Sequence, residues 1–412
     1  MRSTTSFDVA VIGGGIIGLS AAWRLCQQGL SVAIADAGKL AGEASAAGAG
    51  MLAPGGEALQ TSAWARDTVD ARQEYPRFVE ELREGSGIEI DFRECGAIDI
   101  ASDDTAWASL SGRRGVQESM GIEVREIGEA EARRMVPLLR PGSFKALHYP
   151  GDAIVDPRAV CAALRLLLAR AGARFRENER IARIEADGGG YALLSESSGP
   201  VMRTASVVVA AGAWSSQISV PERALATGPA PRKAISIRGH LVQCQRPPGT
   251  LAPIVRERHL YVFQRNHGGV ISGSNEERVG FDRSPNPEAV KEILLRTGQA
   301  LPTLFGPESN ATSWLGFRPG IEGDGPELRQ MEGERSGLPM GTTAMASYWP
   351  PTPRPCLHGR SALGKSDRRP IGKEIRARGT AGFEQVRHAA AAAHQVHQQL
   401  FEQRLFRLLQ PA

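Results

Sequence analysis

The order of apolar and polar positions predicts a strand, a tight turn, a helix and a second strand at the start of the chain. Residues 7–12 (FDVAVI) are a short apolar run, and residues 13–18 (GGGIIG) follow it. From Leu19 onward, apolar residues recur at helical spacing. A second apolar run, residues 30–35 (LSVAIA), ends at Asp36. This order is typical of a Rossmann-type nucleotide-binding unit.

The spacing within this unit gives each glycine a predicted role. Gly13 permits the turn, Gly15 lets the backbone approach a pyrophosphate, and Gly18 lets the helix pack against the strand. The helix N-terminus offers backbone N–H groups to the phosphates. Asp36, 23 positions after Gly13, is placed to bind a ribose. A glycine-rich turn in an unrelated α/β protein is the alternative. The predicted dinucleotide contacts are Gly13, Gly15, Ile16, Ile17, Gly18 and Asp36.

The next segment favours FAD over NAD as the dinucleotide. Residues 42–54 (GEASAAGAGMLAP) hold few side chains larger than a methyl group, as a segment running along a bulky flat cofactor requires. The alternative is a flexible linker, but the sequence MLAP is not linker composition. The stretch resembles the small-residue loop of glycine oxidases in the D-amino-acid oxidase superfamily. The resemblance implies that the loop passes the pyrophosphate and the flavin ring, with contacts from Ser45, Ala46, Ala47, Gly50 and Met51.

Segments further along the chain agree with this resemblance. Residues 151–158 (GDAIVDPR) precede a helical pattern and resemble the family's return from its second domain into the FAD domain. A predicted strand begins at Ile181, whose main chain the resemblance places against the adenine. Another strand breaks at Gly212, which the resemblance places near the cofactor. A glycine required by packing is the alternative for Gly212.

Three residues are candidates for substrate binding. Residues 313–320 (SWLGFRPG) resemble the family motif W-x-G-x-R-P-G, which implies that Arg318 holds the substrate carboxylate; a surface arginine in a turn is the alternative. Residues 259–265 alternate as a strand, which puts His259 and Tyr261 on one face. Tyr261 matches the family's substrate-contacting tyrosine, with a half-buried sheet tyrosine as the alternative. For His259 the alternative is a polar side chain without a substrate contact.

The chemistry explains why an arginine and a tyrosine are expected. The neutral amine of a small amino acid can lose its α-hydrogen as hydride to a flavin without a strong base, so the site must mainly orient the substrate. A bidentate arginine supported by a tyrosine hydroxyl does this. Residues 271–282 resemble the family's strand-and-turn segment, but Asn275 and Glu276 stand where the family usually has Thr and an apolar residue. The identity of the substrate therefore stays open.

After about Gln330 the resemblance ends. The family continues with G-H-Y-R-N-G-I-L-L-A-P, whose Arg makes a second carboxylate contact, whereas residues 339–350 read PMGTTAMASYWP. When this run is back-translated and read one base earlier, four codons are forced to Gly, Gly, Leu and Ala, as the motif requires. We therefore hypothesise a single-base insertion or deletion near residues 329–335, which makes residues 331–412 an out-of-frame product. The alternative is a divergent natural tail with an amphipathic helix on Val396, Leu400, Leu405 and Leu408.

Composition narrows the class of protein. The net charge is +4, but residues 331–412 hold 12 Lys and Arg against 6 Asp and Glu, so the basic excess lies in the tail and does not indicate nucleic-acid binding. No apolar run approaches the ~18 residues of a membrane-spanning helix. The N-terminus lacks a signal-peptide pattern, so a cytoplasmic protein is expected. The five scattered cysteines, with no C-x-x-C pair, predict neither a disulfide framework nor a metal site.

The sequence thus predicts an α/β (α+β) fold with two domains and a tail. A Rossmann-type FAD-binding domain comprises residues 1–90, 150–220 and 305–330; a substrate domain on an antiparallel sheet comprises residues 91–149 and 221–304; residues 331–412 are the anomalous tail. The resemblance implies oxidation of glycine or a similar small amino acid to the imine, with O2 as acceptor and a link to the thiazole of thiamine, in a possible homo-oligomer. The alternatives are a catalytically impaired flavoprotein and a D-amino-acid dehydrogenase that reduces a quinone.

Overall fold

The computed structural model describes residues 6–57, 61, 63–220, 233–305, 310–321, 327–330 and 342–345. The helices are α1 (Ile16–Gln27), α2 (Ala44–Ala47), α3 (Pro54–Glu57), α4 (Ala63–Ser86), α5 (Asp104–Ser119), α6 (Glu129–Met135), α7 (Pro157–Arg170) and α8 (Pro287–Ala300), with a 3₁₀ helix at Gly212–Gln217. The strands are β1 (Ser6–Ile12), β2 (Val32–Ala35), β3 (Met51–Leu52), β4 (Phe92–Arg93), β5 (Ala97–Ala101), β6 (Arg125–Ile127), β7 (Lys145–Tyr149), β8 (Ala153–Val155), β9 (Arg174–Arg176), β10 (Ile181–Asp187), β11 (Gly190–Ser195), β12 (Gly199–Val209), β13 (Ala234–Gln245), β14 (Ile254–Glu257), β15 (Leu260–Gln264), β16 (Gly269–Gly273), β17 (Thr312–Ile321), β18 (Glu327–Gln330) and β19 (Thr342–Met345).

A six-stranded sheet in the order β10-β11-β12-β1-β2-β9 carries the predicted nucleotide-binding unit. β1 is parallel to β12 and to β2, and β2 is parallel to β9. β2 is buried along its whole length, as expected of a parallel strand covered on both faces. All six strands come from residues 1–90 and 150–220, which the sequence assigns to the FAD-binding domain.

Three helices, α1, α4 and α7, pack against one face of this sheet and against one another. Their buried side chains repeat at helical spacing; in α7 they include Val160, Leu164 and Leu168. α7 begins where its sequence favours a helix start, because the Asp156 side chain accepts a hydrogen bond from the Arg158 backbone N–H and a proline follows Asp156. Because β1 and β2 are parallel, their carboxyl ends lie at one edge of this sheet.

An eight-stranded sheet in the order β17-β13-β16-β15-β14-β5-β7-β6 forms the second layer. Its strands are antiparallel except for the parallel pair β14 and β5. The assignment of residues 305–330 to the FAD-binding domain is wrong for β17. This strand pairs with β13 over its whole length, from Thr312 opposite Gln243 to Ile321 opposite Ala234, and this hydrogen-bond ladder fixes it to the second sheet.

Two small sheets complete the fold. One is a three-stranded sheet in the order β3-β8-β4. β3 belongs to the small-residue segment, β8 precedes α7, and β4 precedes β5 of the eight-stranded sheet. β18 pairs with β19, which is the described part of the predicted out-of-frame tail. The other tail residues, 331–341 and 346–412, lie outside the described residues, so the frame hypothesis stays a prediction. None of the helices in the described part of the chain is long and apolar enough to cross a bilayer.

Candidate active site

The glycine turn between β1 and α1 leaves no room for a side chain at two of its predicted dinucleotide-binding positions. Gly13 has φ +103°, and a Cβ added there would lie 2.3 Å from the Ala210 carbonyl oxygen at the end of β12. A Cβ on Gly18 would lie 1.9 Å from the Gly13 carbonyl oxygen. These two positions therefore require glycine for the turn and for the contact between helix and strand. Gly15 is extended, and a Cβ added there would meet Ser45 Oγ at 3.2 Å.

Asp36 lies beside this turn, at the end of β2. Its Oδ2 accepts a 2.7 Å hydrogen bond from the Gly14 N–H, and its Oδ1 accepts one of 2.8 Å from the Gly38 N–H. These two bonds fix the carboxylate at the edge where a ribose is expected. At the start of α1, the Ile16 N–H donates to Ser45 Oγ at 2.9 Å, and the Ile17 side chain packs partly buried against the core under α1. Ser45 thus joins the small-residue segment to the positive end of the helix.

The backbone carbonyls of the small-residue segment accept four hydrogen bonds from three other parts of the chain. The donors and acceptors are Arg158 Nε to Ala46 O at 2.8 Å, Trp314 Nε1 to Ala47 O at 2.9 Å, Arg265 Nη2 to Ala49 O at 2.5 Å and the Val155 N–H to Gly50 O at 2.8 Å. Met51 then enters β3 opposite Ile154. These hydrogen bonds hold the segment in one conformation, and a segment that the protein itself fixes costs less entropy when it binds a cofactor. The sequence predicted the segment but none of these donors.

Arg265 is the most buried of the three side-chain donors. Its side chain lies over the Phe263 ring at 5.1 Å, and burial lowers the pKa of its guanidinium. The guanidinium that donates to the Ala49 carbonyl is charged, and hydrogen bonds from charged groups are stronger than those between neutral groups. Arg265 is thus a structural support of the segment.

The two remaining predicted cofactor residues lie near the same edge. Ile181 begins β10 and is buried in a cluster with Ile12 and Ala35, the last residues of β1 and β2. Gly212 begins the 3₁₀ helix that follows β12 and has φ +54°. A Cβ added to Gly212 would meet no described atom within 4 Å, so the backbone conformation, rather than close packing, accounts for glycine there.

Tyr261 and Arg318 lie on one face of the eight-stranded sheet. Tyr261 pairs with Gly273, Gly273 with Leu241, and Leu241 with Trp314, so these side chains form one row across the sheet. Since side chains alternate along a strand, Trp314, Gly316 and Arg318 share that face. A Cβ on Gly316 would lie 2.3 Å from Ala47 Cβ, so this face packs directly on α2.

Arg318 lies inside β17 and not in a turn. Its Nη1 contacts Glu276 Oε1 at 3.2 Å, and its Nη2 donates to Ser274 Oγ at 3.4 Å. The Arg318 side chain is 20% exposed and that of Glu276 33%. The predicted carboxylate anchor therefore has a protein carboxylate beside it, a partner that the sequence did not predict. The alternating motif W-x-G-x-R is typical of a strand and could have shown that Arg318 lies in one. No residue near Arg318 in the sequence indicates that Glu276 is its partner.

The prediction that His259 shares a strand face with Tyr261 is wrong. β15 begins at Leu260, and Glu257 pairs with Leu260, so Arg258 and His259 form a two-residue hairpin turn. Arg258 has φ +53°, the conformation that such turns require at their first central residue. The His259 side chain is exposed at this turn.

The loop that carries Glu276 is anchored on both sides of that residue. Buried Arg238 makes two contacts with Glu277, at 3.0 and 3.1 Å, and the Asn275 side chain accepts a 2.7 Å hydrogen bond from the His240 N–H. The hydrogen bonds from Arg238 and then Asn286 lower the pKa of Glu277 to about 2. The unexpected Asn275 thus has a structural role, and Glu276 is held near Arg318.

A buried ionic cluster fixes the chain just after the small-residue segment. Arg256 pairs with Asp99 and, at 2.7 Å, with Asp152. Although burial opposes the charge, the two carboxylates raise the pKa of Arg256. Asp152 Oδ1 accepts from the Gly55 N–H at 3.2 Å, and Gln117 Nε2 donates to the Gly55 carbonyl at 2.7 Å. These residues come from distant segments, and no sequence pattern indicated that they would meet.

A glycine turn after a parallel strand, below a sheet face that bears an arginine and a tyrosine, is the arrangement expected of a flavin-dependent oxidoreductase. Residues 8–341 match the family described as FAD dependent oxidoreductase (DAO), and the chain belongs to this family. The resemblance, the fold class and the FAD cofactor expected from the sequence are thereby confirmed. No test of the individual site residues follows from the family match, so their roles stay predictions.

Similar proteins include several glycine oxidases. The chain is 29% identical to the glycine oxidase of Geobacillus kaustophilus (strain HTA426) over 337 residues, which cover 81% of this chain and 87% of that protein. It is 27% identical to the bifunctional protein ThiO/ThiG of Synechocystis over 79% of this chain and 47% of that protein. The crystal structure of the G. kaustophilus glycine oxidase matches with a TM-score of 0.75 at 27% identity, over 84% of this chain and 90% of that one. The crystal structure of iminodiacetate oxidase from Chelativorans sp. BNC1 matches with a TM-score of 0.69 at 26% identity, over 82% and 89%.

Proposed function

We propose that this protein oxidises glycine or a similar small amino acid to the imine, with O2 as the final acceptor. The observation that carries the proposal is the position of Tyr261 and Arg318 on the sheet face that packs over the small-residue segment. The similarity to glycine oxidases of known sequence and structure supports the same substrate class.

In this proposal, the described residues orient the substrate. Arg318 binds the substrate carboxylate, and its position inside a paired strand limits the movement of its backbone. The Tyr261 hydroxyl also contacts that carboxylate. Two contacts to one planar group fix its orientation and direct the Cα–H toward the small-residue segment. The packed sheet above the segment excludes water from the reacting atoms.

FAD, when bound, supplies the acceptor for the hydride that leaves Cα, and O2 then takes up two electrons and two protons as H2O2. The imine product of glycine hydrolyses to glyoxylate and ammonia. The sequence resemblance adds a link to the thiazole of thiamine, and the similarity to the ThiO/ThiG protein supports that link. The glycine turn and the fixed carbonyls of the segment support the proposed FAD contacts. These contacts are Gly13, Gly15, Ile16, Ile17, Gly18, Asp36, Ser45, Ala46, Ala47, Gly50, Met51, Ile181 and Gly212.

The test is anaerobic mixing of the FAD-loaded protein with glycine. Loss of the visible flavin band, followed by H2O2 formation in air, is expected. Arg318→Met should lower kcat/KM for glycine about 100-fold or more, because the charge-assisted bidentate contact is lost. Arg165→Met is the matched control, since Arg165 lies half exposed on α7 and pairs with Glu177. A normal kcat/KM in Arg318→Met would overturn the role of Arg318.

Two other results would replace the proposal with one of its alternatives. Reduction by a D-amino acid, followed by reoxidation with a quinone but not with O2, would identify a dehydrogenase. A stable FAD complex that no amino acid reduces would identify a catalytically impaired flavoprotein.

A further inference from the structure

We propose that Glu276 sets the charge selectivity of the substrate site, so that the site excludes dicarboxylates and accepts amino acids whose second group is neutral or cationic. This inference rests on the proposed function. It starts from one contact: Glu276 Oε1 lies 3.2 Å from Arg318 Nη1, and Arg318 is the proposed anchor of the substrate carboxylate. The sequence resemblance leads us to expect an apolar residue at this position, so the negative charge is a property of this chain.

The pairing leaves the local charge balanced before substrate binds. A substrate carboxylate at Arg318 adds one negative charge within reach of Glu276. A second carboxylate on the same small molecule has to lie near both the first carboxylate and Glu276. The like charges repel, and this repulsion lowers the affinity for a dicarboxylate. A cationic second group is attracted instead. Glu276 is only 33% exposed, so water and salt screen this interaction less than they screen a surface pair.

Glu276 cannot avoid this repulsion by moving its loop away. Its neighbour Glu277 is held by two contacts to Arg238, whose side chain is only 6% exposed. On the other side, Asn275 is held by the backbone of His240 in β13. The anchors lie on the two residues that flank Glu276, so its backbone is fixed while its carboxylate contacts Arg318.

The two adjacent glutamates differ in what they contact. Glu277 contacts Arg238, His240 and Asn286, and its role is to hold the loop. Glu276 contacts the proposed substrate anchor. The selectivity is therefore assigned to Glu276 alone.

The test compares two small carboxylate probes, acetate and malonate, by their effect on the flavin absorbance and on the melting temperature of the FAD-loaded protein. In the wild type, malonate should bind more weakly than acetate. Glu276→Gln removes the charge but keeps the shape, and should lower the ratio of the malonate Kd to the acetate Kd about tenfold. Glu276→Asp keeps the charge and should retain discrimination. Glu288→Gln, at an exposed glutamate on α8, should leave the ratio unchanged.

Turnover gives a second readout. In Glu276→Gln, kcat/KM for D-aspartate should rise relative to glycine, and kcat/KM for D-ornithine should fall. If acetate binds the wild type but Glu276→Gln leaves the Kd ratio unchanged, the selectivity proposal is wrong and the proposed function stands. If acetate fails to bind the FAD-loaded wild type, the carboxylate site itself is wrong and both proposals fail.

Discussion

Trp314 Nε1 donates a 2.9 Å hydrogen bond to the Ala47 carbonyl oxygen and thereby joins the edge strand of the second sheet to the small-residue segment of the FAD-binding layer. The two residues are 267 positions apart in the chain. Next to this bond, Arg158 lies 5.9 Å from the Trp314 ring and donates to Ala46. These contacts join β17 directly to the small-residue segment, so a change in either should affect the other.

Trp314→Phe should weaken FAD binding without unfolding the protein. The change removes the indole N–H and leaves the Ala47 carbonyl without this donor, which costs about 1 kcal/mol and corresponds to a roughly fivefold higher FAD Kd. Fluorescence titration of the apoprotein with FAD measures this. Trp107→Phe on α5 makes the same substitution away from the segment and should leave the Kd unchanged. An equal effect of both substitutions would show that the loss of ring area, and not the hydrogen bond, matters.

Gly316→Ala should separate the second sheet from α2. The added Cβ would lie 2.3 Å from Ala47 Cβ, closer than two carbon atoms can approach, so β17 or α2 must shift. Overpacking of this kind costs about 1–3 kcal/mol, and a shift of Arg318 should also raise the KM for glycine. Gly298→Ala on α8 is the control, because an added Cβ there meets no described atom within 4 Å. It should leave the KM unchanged and slightly raise the melting temperature.

The part of the site built from neighbouring residues was predictable, and the part built from distant ones was not. The turn from Gly13 to Gly18 follows from local spacing, because the strand, turn and helix are continuous in sequence. The side of the sheet on which Tyr261 lies depends on the register of four strands, and the family resemblance alone indicated its role. The error at His259 has a local cause: the positive φ at Arg258 places Arg258 and His259 in a turn, so β15 begins one residue later than the alternation suggested.

Contacts between distant segments explain what the sequence missed. The bonds from Arg265 to Ala49 and from Arg318 to Glu276 join residues that no periodicity connects. β17 was assigned to the wrong layer because a strand belongs to the sheet in which its partner lies, and its partner β13 is far away in sequence. Only tertiary structure supplies this information.

Glu277→Gln should destabilise the protein in a way that depends on pH. The hydrogen bonds from Arg238 and Asn286 lower the pKa of Glu277 to about 2, whereas the unfolded chain has the ordinary value near 4.5. The folded state therefore holds fewer protons, and the stabilisation is complete above about pH 4.5 and is lost as the pH falls toward 2. The free energy of unfolding should fall by about 2 kcal/mol near neutral pH in the variant.

Urea unfolding at several pH values measures this difference. The gap between wild type and Glu277→Gln should be constant above about pH 5 and should narrow at lower pH. Glu288→Gln, whose carboxylate is exposed on α8, should show no such dependence. A gap that widens toward acid would contradict the assigned charge state of Glu277.

Correction of the reading frame near codons 329–335 should raise the rate of glycine oxidation. When residues 339–350 are back-translated and read one base earlier, four codons must give residues of the expected family motif. The family match ends at residue 341. The motif's arginine is the predicted second contact to the substrate carboxylate, and loss of one charge-assisted bond costs about 1.5–3 kcal/mol, or roughly 10- to 150-fold in kcat/KM. The other residues of the motif are absent as well, and their loss should lower activity further.

The comparison requires three genes expressed side by side: the printed sequence, a single-base correction, and a version with synonymous codons that preserves every printed residue. Only the single-base correction should oxidise glycine rapidly, because only it supplies the loop and the second arginine. FAD content must be measured in each preparation, since a protein that loses its cofactor and a protein that binds FAD without catalysis are both inactive for different reasons. If all three proteins oxidise glycine at the same rate, the tail is a natural sequence and Arg318 and Tyr261 suffice to orient the substrate.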